Sequence, residues 1–355
     1  MPDVTIAEVA SHAGVSPSTV SYVLNGNPKI SDHTRERVRA SIKALNYRPH
    51  AGARALRSGR TDVVALAIPM YEWTNERVVM PFVYGVVEAA RRHGWNVMLL
   101  TDAEHGAEID QVVRSKMVDG VVLMEVREDD ERVAALSGLE ARAVTLGMPL
   151  QGSSMPYVDF DFEACGRASV DYLVELGHTQ IGLLAAPSGV FNRKLGYAQR
   201  LWQGVSERLR ELGLDFHGCP MEPTMDGVLD ALDGLYKKVP GLTAVVVHNE
   251  GSLDTLLQAL KQRDKDVPSD LSVLAVCQRD LALRVSPVLT CMDVPAVEMG
   301  RGAVELLHAR EPTSYLVAPV LVPGASTGPP RSRGRVREAL TTRRADKPVG
   351  PVRAT

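Results

Sequence analysis

A glycine break near the amino terminus is followed by a run of hydroxyl side chains, Gly14-Val15-Ser16-Pro17-Ser18-Thr19-Val20-Ser21-Tyr22. Ser16 is a good helix N-cap, and Pro17 suits the first helical position, where its missing N–H would be unpaired anyway. On the helix that follows, Val20, Val23 and Leu24 form a buried face, which leaves Pro17, Ser18, Thr19, Ser21 and Tyr22 pointing outward. Short hydroxyls and one aromatic can meet base edges and phosphate oxygens, and the free N–H groups of the helix N-terminus suit a phosphate. A helix presented this way fits a major groove. The chemistry is recognition of DNA rather than the making of bonds.

The elements that must hold this helix are also visible. Thr5-Ile6-Ala7-Glu8 has the form of a capping box, and Ile6, Val9, Ala10 and Ala13 follow at helical spacing. A third helix starts at Ser31 and carries Val38, Ile42 and Leu45. Two short helices around a Gly turn, closed by a third, make a helix-turn-helix headpiece over residues 1–48. Charge agrees: residues 1–60 hold nine Lys/Arg against four Asp/Glu, and residues 328–355 hold eight against two, so 61–327 carries a net −14. A basic head on an acidic body is the footprint of a phosphate-binding module joined to a domain that does not bind DNA.

From residue 62 apolar strand runs alternate with amphipathic helices. Strands are expected at Asp62–Pro69, Trp95–Thr101, Gly120–Val126, Ala143–Leu146 and Tyr157–Asp159, with helices at Arg77–His93, Glu108–Val118 and Glu163–Leu176. After Leu176-Gly177-His178 the pattern restarts with Ile181–Ala186, a helix around Arg193–Leu212, Thr243–His248, Ser252–Gln262, Leu271–Val276 and Val294–His308. Such apolar strands between helices mean parallel sheets covered on both faces. Two successive units imply an α/β body of two doubly wound lobes over 62–327, with a ligand crevice between them at the strand carboxyl ends. Residues 328–355 read as a disordered Pro/Arg-rich tail.

Residues 4–49, VTIAEVASHAGVSPSTVSYVLNGNPKISDHTRERVRASIKALNYRP, resemble the headpiece of the lactose-repressor (LacI) family. The resemblance extends through Leu176-Gly177-His178, Arg193-x-x-Gly196-Tyr197, Asn249 and residues 287–307 to Ser326-Thr327. It implies a periplasmic-binding-protein-like body, base reading by Pro17, Ser18 and Tyr22, and phosphate contacts from Thr5, Ser16, Thr19, Ser21 and Asn25. Position 22 is often Arg in the family, so operators of other members do not transfer. Residues 49–61 resemble the family's hinge helix, with Ala53, Arg54 and Leu56 matching and Leu56 as the minor-groove wedge. The resemblance places the effector against Asp161, Arg193, Asn249 and Glu250. Cys277 stands where many members have a sugar-binding Asp, and Val78-Val79 where an aromatic pair is usual.

The implied protein is a sequence-specific transcriptional regulator and repressor, a homodimer on a pseudo-palindromic double-stranded operator, controlled by a sugar or related metabolite. The alternative is a degenerate pocket that answers to a non-sugar ligand or to none. Met80, Tyr84 and Val87, with the 294–308 helix, are the expected dimer contacts. No cofactor, metal or membrane partner is expected: the cysteines form no C-x-x-C, the histidines lack metal spacing, and no run of about 18 apolar residues occurs. His12 and His178 read as surface or turn residues. The opening residues lack the basic and apolar regions of a secretory signal, which points to the cytoplasm. That argues against a transport solute receptor. No Gly-x-Gly-x-x-Gly, P-loop or Ser/His/Asp arrangement follows a strand, which argues against an enzyme.

Overall fold

The computed structural model describes residues 4–24, 26–47, 59–71, 74–102, 105–139, 141–149 and 153–331. Three helices come first: α1 (Ile6–Ala13), α2 (Pro17–Leu24) and α3 (Asp32–Ala44). The capping box is present. Thr5 N–H donates to the Glu8 carboxylate (2.7 Å), and Glu8 N–H returns to Thr5 Oγ1 (3.3 Å). Gly14 closes α1 at φ 63°, a left-handed conformation that a side chain would strain. Val9, Ala10, Ala13, Val20, Val23 and Val38 form the small core that fixes α2 against its neighbours.

The body begins with β1 (Val63–Ala67), α4 (Glu76–Arg92), β2 (Asn96–Leu100), α5 (Gly106–Arg114), β3 (Gly120–Leu123), α6 (Glu131–Ser137), β4 (Arg142–Leu146) and β5 (Tyr157–Phe160). It continues with α7 (Phe162–Glu175), β6 (Ile181–Ala185), α8 (Ser188–Asn192), α9 (Gly196–Glu211), β7 (His217–Pro220), α10 (Met225–Lys238), β8 (Ala244–Val247), α11 (Leu253–Gln262) and β9 (Ser272–Cys277). The last elements are α12 (Arg279–Ala282), β10 (Thr290–Asp293), α13 (Ala296–His308), β11 (Tyr315–Val317) and β12 (Val320–Val322). One six-stranded sheet runs β11-β5-β4-β3-β1-β2, all parallel; the other runs β12-β10-β9-β8-β6-β7, parallel except for β12. Two lobes with apolar strands buried between helices are thus present, as the alternation predicted.

The lobes are not successive halves of the chain. After β5 the chain crosses into α7, which packs on α9 beside the second sheet; after β10 it crosses back into α13, which packs on α4, β4 and β5. It crosses a third time between β11 and β12. Periodicity reports that an element is buried but not which sheet buries it. The helix packing is close: a Cβ on Gly85 would stand 2.1 Å from the Val297 carbonyl oxygen, and one on Gly204 2.2 Å from that of Glu163.

Several expectations change in detail. The helix expected around Arg193–Leu212 starts only at Gly196, because α8 ends at Asn192 and a turn intervenes. His178 is not a surface residue: it is 1% exposed, and its ring meets Thr243 Oγ1 (2.9 Å), Ser272 Oγ (3.1 Å) and the Gly328 carbonyl (2.8 Å). It ties the start of β9 to Thr243 before β8 and to Gly328, and burial lowers its pKa. The 294–308 helix gives its apolar face to α4 and the first sheet. Met80, Tyr84 and Val87 do remain exposed on one side of α4.

Candidate functional site

Helix α2 stands where the sequence predicted, with two corrections, of which the first is that Leu24, expected on the buried face, is exposed at the helix end. Pro17, Ser18 and Tyr22 are exposed, Tyr22 by half. At the N-terminus of α2, Ser16 Oγ accepts from Thr19 N–H (3.2 Å) and lies 2.7 Å from Ser18 Oγ and 2.9 Å from Thr19 Oγ1. This is a compact hydroxyl cluster beside the helix's free N–H groups, suited to an anion. Ser21, expected outside, is turned inward and only 6% exposed. At 100° per residue it lies beside Val20 on the rim of the buried face, and its small side chain is covered there. Thr5 Oγ1 is engaged with Glu8 (2.9 Å). Two headpiece cations are also engaged internally: Arg37 donates to the carbonyls of Ala13 (2.6 Å) and Gly14 (3.0 Å), and Arg35 to those of Asn27 and Ile30. Asn25 and the hinge residues Ala53, Arg54 and Leu56 lie outside the described residues.

The body places a second site between its lobes. A cavity of about 470 Å³ opens where the strands of both sheets end, with Asn75 and Glu125 on one side and Tyr197, His248, Asn249 and Glu250 on the other. A smaller compartment of about 110 Å³ adjoins it, sharing Glu125, Tyr197, His248 and Glu250 and adding Asp159, Arg200 and Gln278. The lobes touch around both. Arg200 Nη2 of the second lobe meets Asp159 Oδ2 of the first at 2.6 Å, and Gln278 Nε2 donates to the Val78 carbonyl at 2.9 Å.

Two carboxylates dominate the cleft. Glu125 follows β3 with φ 53°, a strained conformation for a residue with a side chain. Arg132 holds it there: its guanidinium is 1% exposed, pairs with Asp130 (2.6 Å), and donates to the carbonyls of Met124 (3.0 Å) and Glu125 (2.9 Å). Glu250 opens the short helical turn after β8. Burial pushes both carboxyls up to about 7; the Glu250 charge adds to the rise at Glu125, and Arg132 partly offsets it. Burial holds His248 down to about 4, so the ring is neutral, and it packs between Phe162 (5.5 Å) and Tyr197 (5.7 Å). Burial, then Glu125 and Glu250, raises the Tyr197 phenol, which stays protonated.

Residues 5–50 match the family model described as bacterial regulatory proteins, lacI family, and residues 170–327 match the periplasmic binding protein-like domain. The HTH-type transcriptional regulator CelR of Thermobifida fusca is 30% identical over 318 residues, 86% of this chain and 91% of CelR. The chain belongs to the lacI family of bacterial regulatory proteins. It is a DNA-binding transcriptional regulator of helix-turn-helix type. The catabolite control protein A of Priestia megaterium is 28% identical over 311 residues, 86% of this chain and 92% of that protein. Among solved structures, a CelR–cellobiose complex aligns with TM-score 0.66 at 27% identity, covering 91% of this chain and 99% of that one. The lac repressor dimer bound to operator and the anti-inducer ONPF aligns with TM-score 0.79 at 22% identity, covering 92% and 99%; it supports the fold.

Within that family frame, the cleft separates the four expected effector residues. Asn249 and Glu250 line the larger cavity. The Asn249 amide is partly engaged, since its Nδ2 donates to the Met221 carbonyl. Arg193 ends α8 with its guanidinium 4.3 Å over the Tyr71 ring and lines neither cavity. Asp161 does not reach the wall either: β5 ends at Phe160, and the Asp161 carboxylate caps α7 by accepting from Ala164 N–H (2.9 Å). Asp159, two residues earlier, is the acid that lines the cleft. Glu125, Arg200 and Gln278 were not singled out by the sequence reading. Each follows or faces the carboxyl end of a strand, and that position was the available signal. Cys277 is buried, its thiol pushed up by the Cys291 hydrogen bond and by burial, which fits the reading as a small core residue.

Proposed function

We propose that this regulator is a homodimeric repressor that acts in the cytoplasm, binds a pseudo-palindromic operator through paired headpieces, and changes its DNA affinity when a small polyhydroxylated metabolite occupies the interlobe cleft. The cleft carries the reading: its polar wall is contributed by both lobes, so a ligand there favours one lobe arrangement by its differential contacts. Pro17, Ser18 and Tyr22 read bases, and Ser16 with Thr19 holds a phosphate. The exposed row of Met80, Tyr84 and Val87, one side of a single helix, supports pairing of two copies. The cellobiose of the CelR complex supports a carbohydrate-like effector, and the work is binding rather than catalysis.

Fluorescence anisotropy with fragments from upstream of the chain's own gene and its neighbours tests this. One fragment should bind with affinity that falls steeply with salt, roughly as expected for several phosphate contacts. A metabolite that shifts that affinity should lose its effect in an Asn249→Ala variant. Uniform weak binding to every fragment at low salt would remove the reading.

A further inference from the structure

The inner wall of the cleft is rich in acceptors. Asp159 is paired with Arg200, and Arg132 is bound to Asp130, but no ion pair or hydrogen bond from another side chain reaches Glu125 or Glu250 among the described residues. Gln278, more than nine-tenths buried, has its Nε2 fixed on the Val78 carbonyl. Its Oε1 is left without a partner in the wall of the inner compartment. The orientation is set by that bond, so Oε1 must be the open atom. His248 is neutral beside them. Donors stand there as well: Arg200 Nε is buried and unpartnered in the same compartment, which the Tyr197 phenol also lines, and Asn75 and Arg77 line the outer cavity.

We propose that the effector carries a protonated primary amine on a hydroxylated frame, with the ammonium seated between Glu125 and Glu250 and a third N–H on Gln278 Oε1. The inference rests on the cleft being the effector site. An ammonium has three donors and no acceptor, which matches two carboxylates and one amide oxygen. A ligand hydroxyl accepts from Arg200 Nε. A metal ion is a poorer fit, because no three His, Cys, Asp or Glu side chains converge among the described residues.

Proton linkage follows. Around Glu125 stand Glu250, Arg132 and the Tyr197 phenol; around Glu250 stand Tyr197 and the Cys277 thiol, with Tyr71 facing Tyr197. Glu76 and Arg77 line the outer cavity, and the Asp159–Arg200 pair the inner one. In the empty cleft the two carboxyls hold a proton near neutrality; an ammonium between them expels it. Amine binding therefore tightens as pH rises from 6 toward neutrality.

The test uses the full chain and matched triplets: D-glucosamine, N-acetyl-D-glucosamine and D-glucose, the galacto series, and 1,4-diaminobutane as a bare amine. Thermal shift and titration calorimetry should show one amino sugar binding at least tenfold tighter than both its N-acetyl and hydroxyl counterparts. That preference should vanish in Glu125→Gln and Glu250→Gln. Calorimetry of the wild-type chain in two buffers of different ionisation enthalpy should show proton release at pH 6.5, a readout that needs no variant. Equal binding of a neutral counterpart, a preference that survives both substitutions, binding without proton release, or silence across the panel overturns the inference. A neutral sugar that binds and alters DNA affinity would overturn it while leaving the proposed function intact. Loss of selective DNA binding would strike the function instead.

Discussion

Changing Glu125 to Gln keeps the side chain's shape and deletes the charge that the cleft disfavours. The folded protein holds this carboxyl at about 7, against an ordinary value of 4.5. Between those values the folded chain keeps a proton that the unfolded chain has lost. Stability from this group is therefore full below the unfolded value and is lost as pH rises through the folded one. The lift of about 2.5 units bounds the loss at roughly 3.4 kcal/mol. Between pH 5.5 and 8 an isolated group with these values would lose about 2 kcal/mol. Solvent in the cleft screens part of that, and Glu250 titrates with its neighbour, so about 1–2 kcal/mol is expected. Urea unfolding followed by tryptophan fluorescence reports on the body, since Trp73, Trp95 and Trp202 all lie there. Wild type should lose about 1–2 kcal/mol more than Glu125→Gln between the two pH values, because titrating groups that do not interact with Glu125 cancel in the difference. Equal pH slopes, or a variant less stable than wild type at pH 8, would refute the electrostatic reading of the cleft.

Other substitutions probe different parts of the molecule. Arg132→Met strands the buried Asp130 charge and two carbonyls, so unfolding free energy should fall by about 3–5 kcal/mol, and the Asp130→Asn/Arg132→Met double variant should recover part of it. Gly204→Ala drives a methyl into the Glu163 carbonyl across the α7–α9 contact; a loss of about 1–3 kcal/mol should appear as a lower melting temperature. Tyr22→Ala should weaken the best DNA fragment by about 1–3 kcal/mol while leaving the salt slope unchanged, the outcome expected of an exposed side chain that meets base edges rather than phosphates.

Local chemistry made the headpiece legible. The capping box, the Gly14 turn and the Ser16-Pro17 start are each set by neighbours in sequence, and each was found where its residues placed it. Ser21 escaped because a rim position is decided by how closely another helix packs, which spacing does not encode. In the body, the strands that read clearly were the apolar central ones, such as β6 and β9. The half-exposed edge strand β7, His-Gly-Cys-Pro, carries no such run and was not foreseen. The cleft was the least legible part. Glu125 and Glu250 lie 125 positions apart, and only the approach of two lobes makes them one electrostatic unit. Asp161 had the right chemistry two residues too late: the strand had already ended, and its carboxylate went to a helix cap.

The three crossings between lobes have a consequence for synthesis. When a ribosome has released the chain through β10, the first lobe still lacks α13, the helix that packs against α4, β4 and β5. It also lacks β11, the parallel neighbour that β5 requires on its open edge. Until residues 296–317 emerge, a helix face and a sheet edge built early stay uncovered and open to wrong partners. The headpiece, whose core draws only on residues 4–47, has no such dependence. A nascent chain thus completes its DNA reader first and its sensor last, and the late contacts of high sequence separation set the pace of the body's folding.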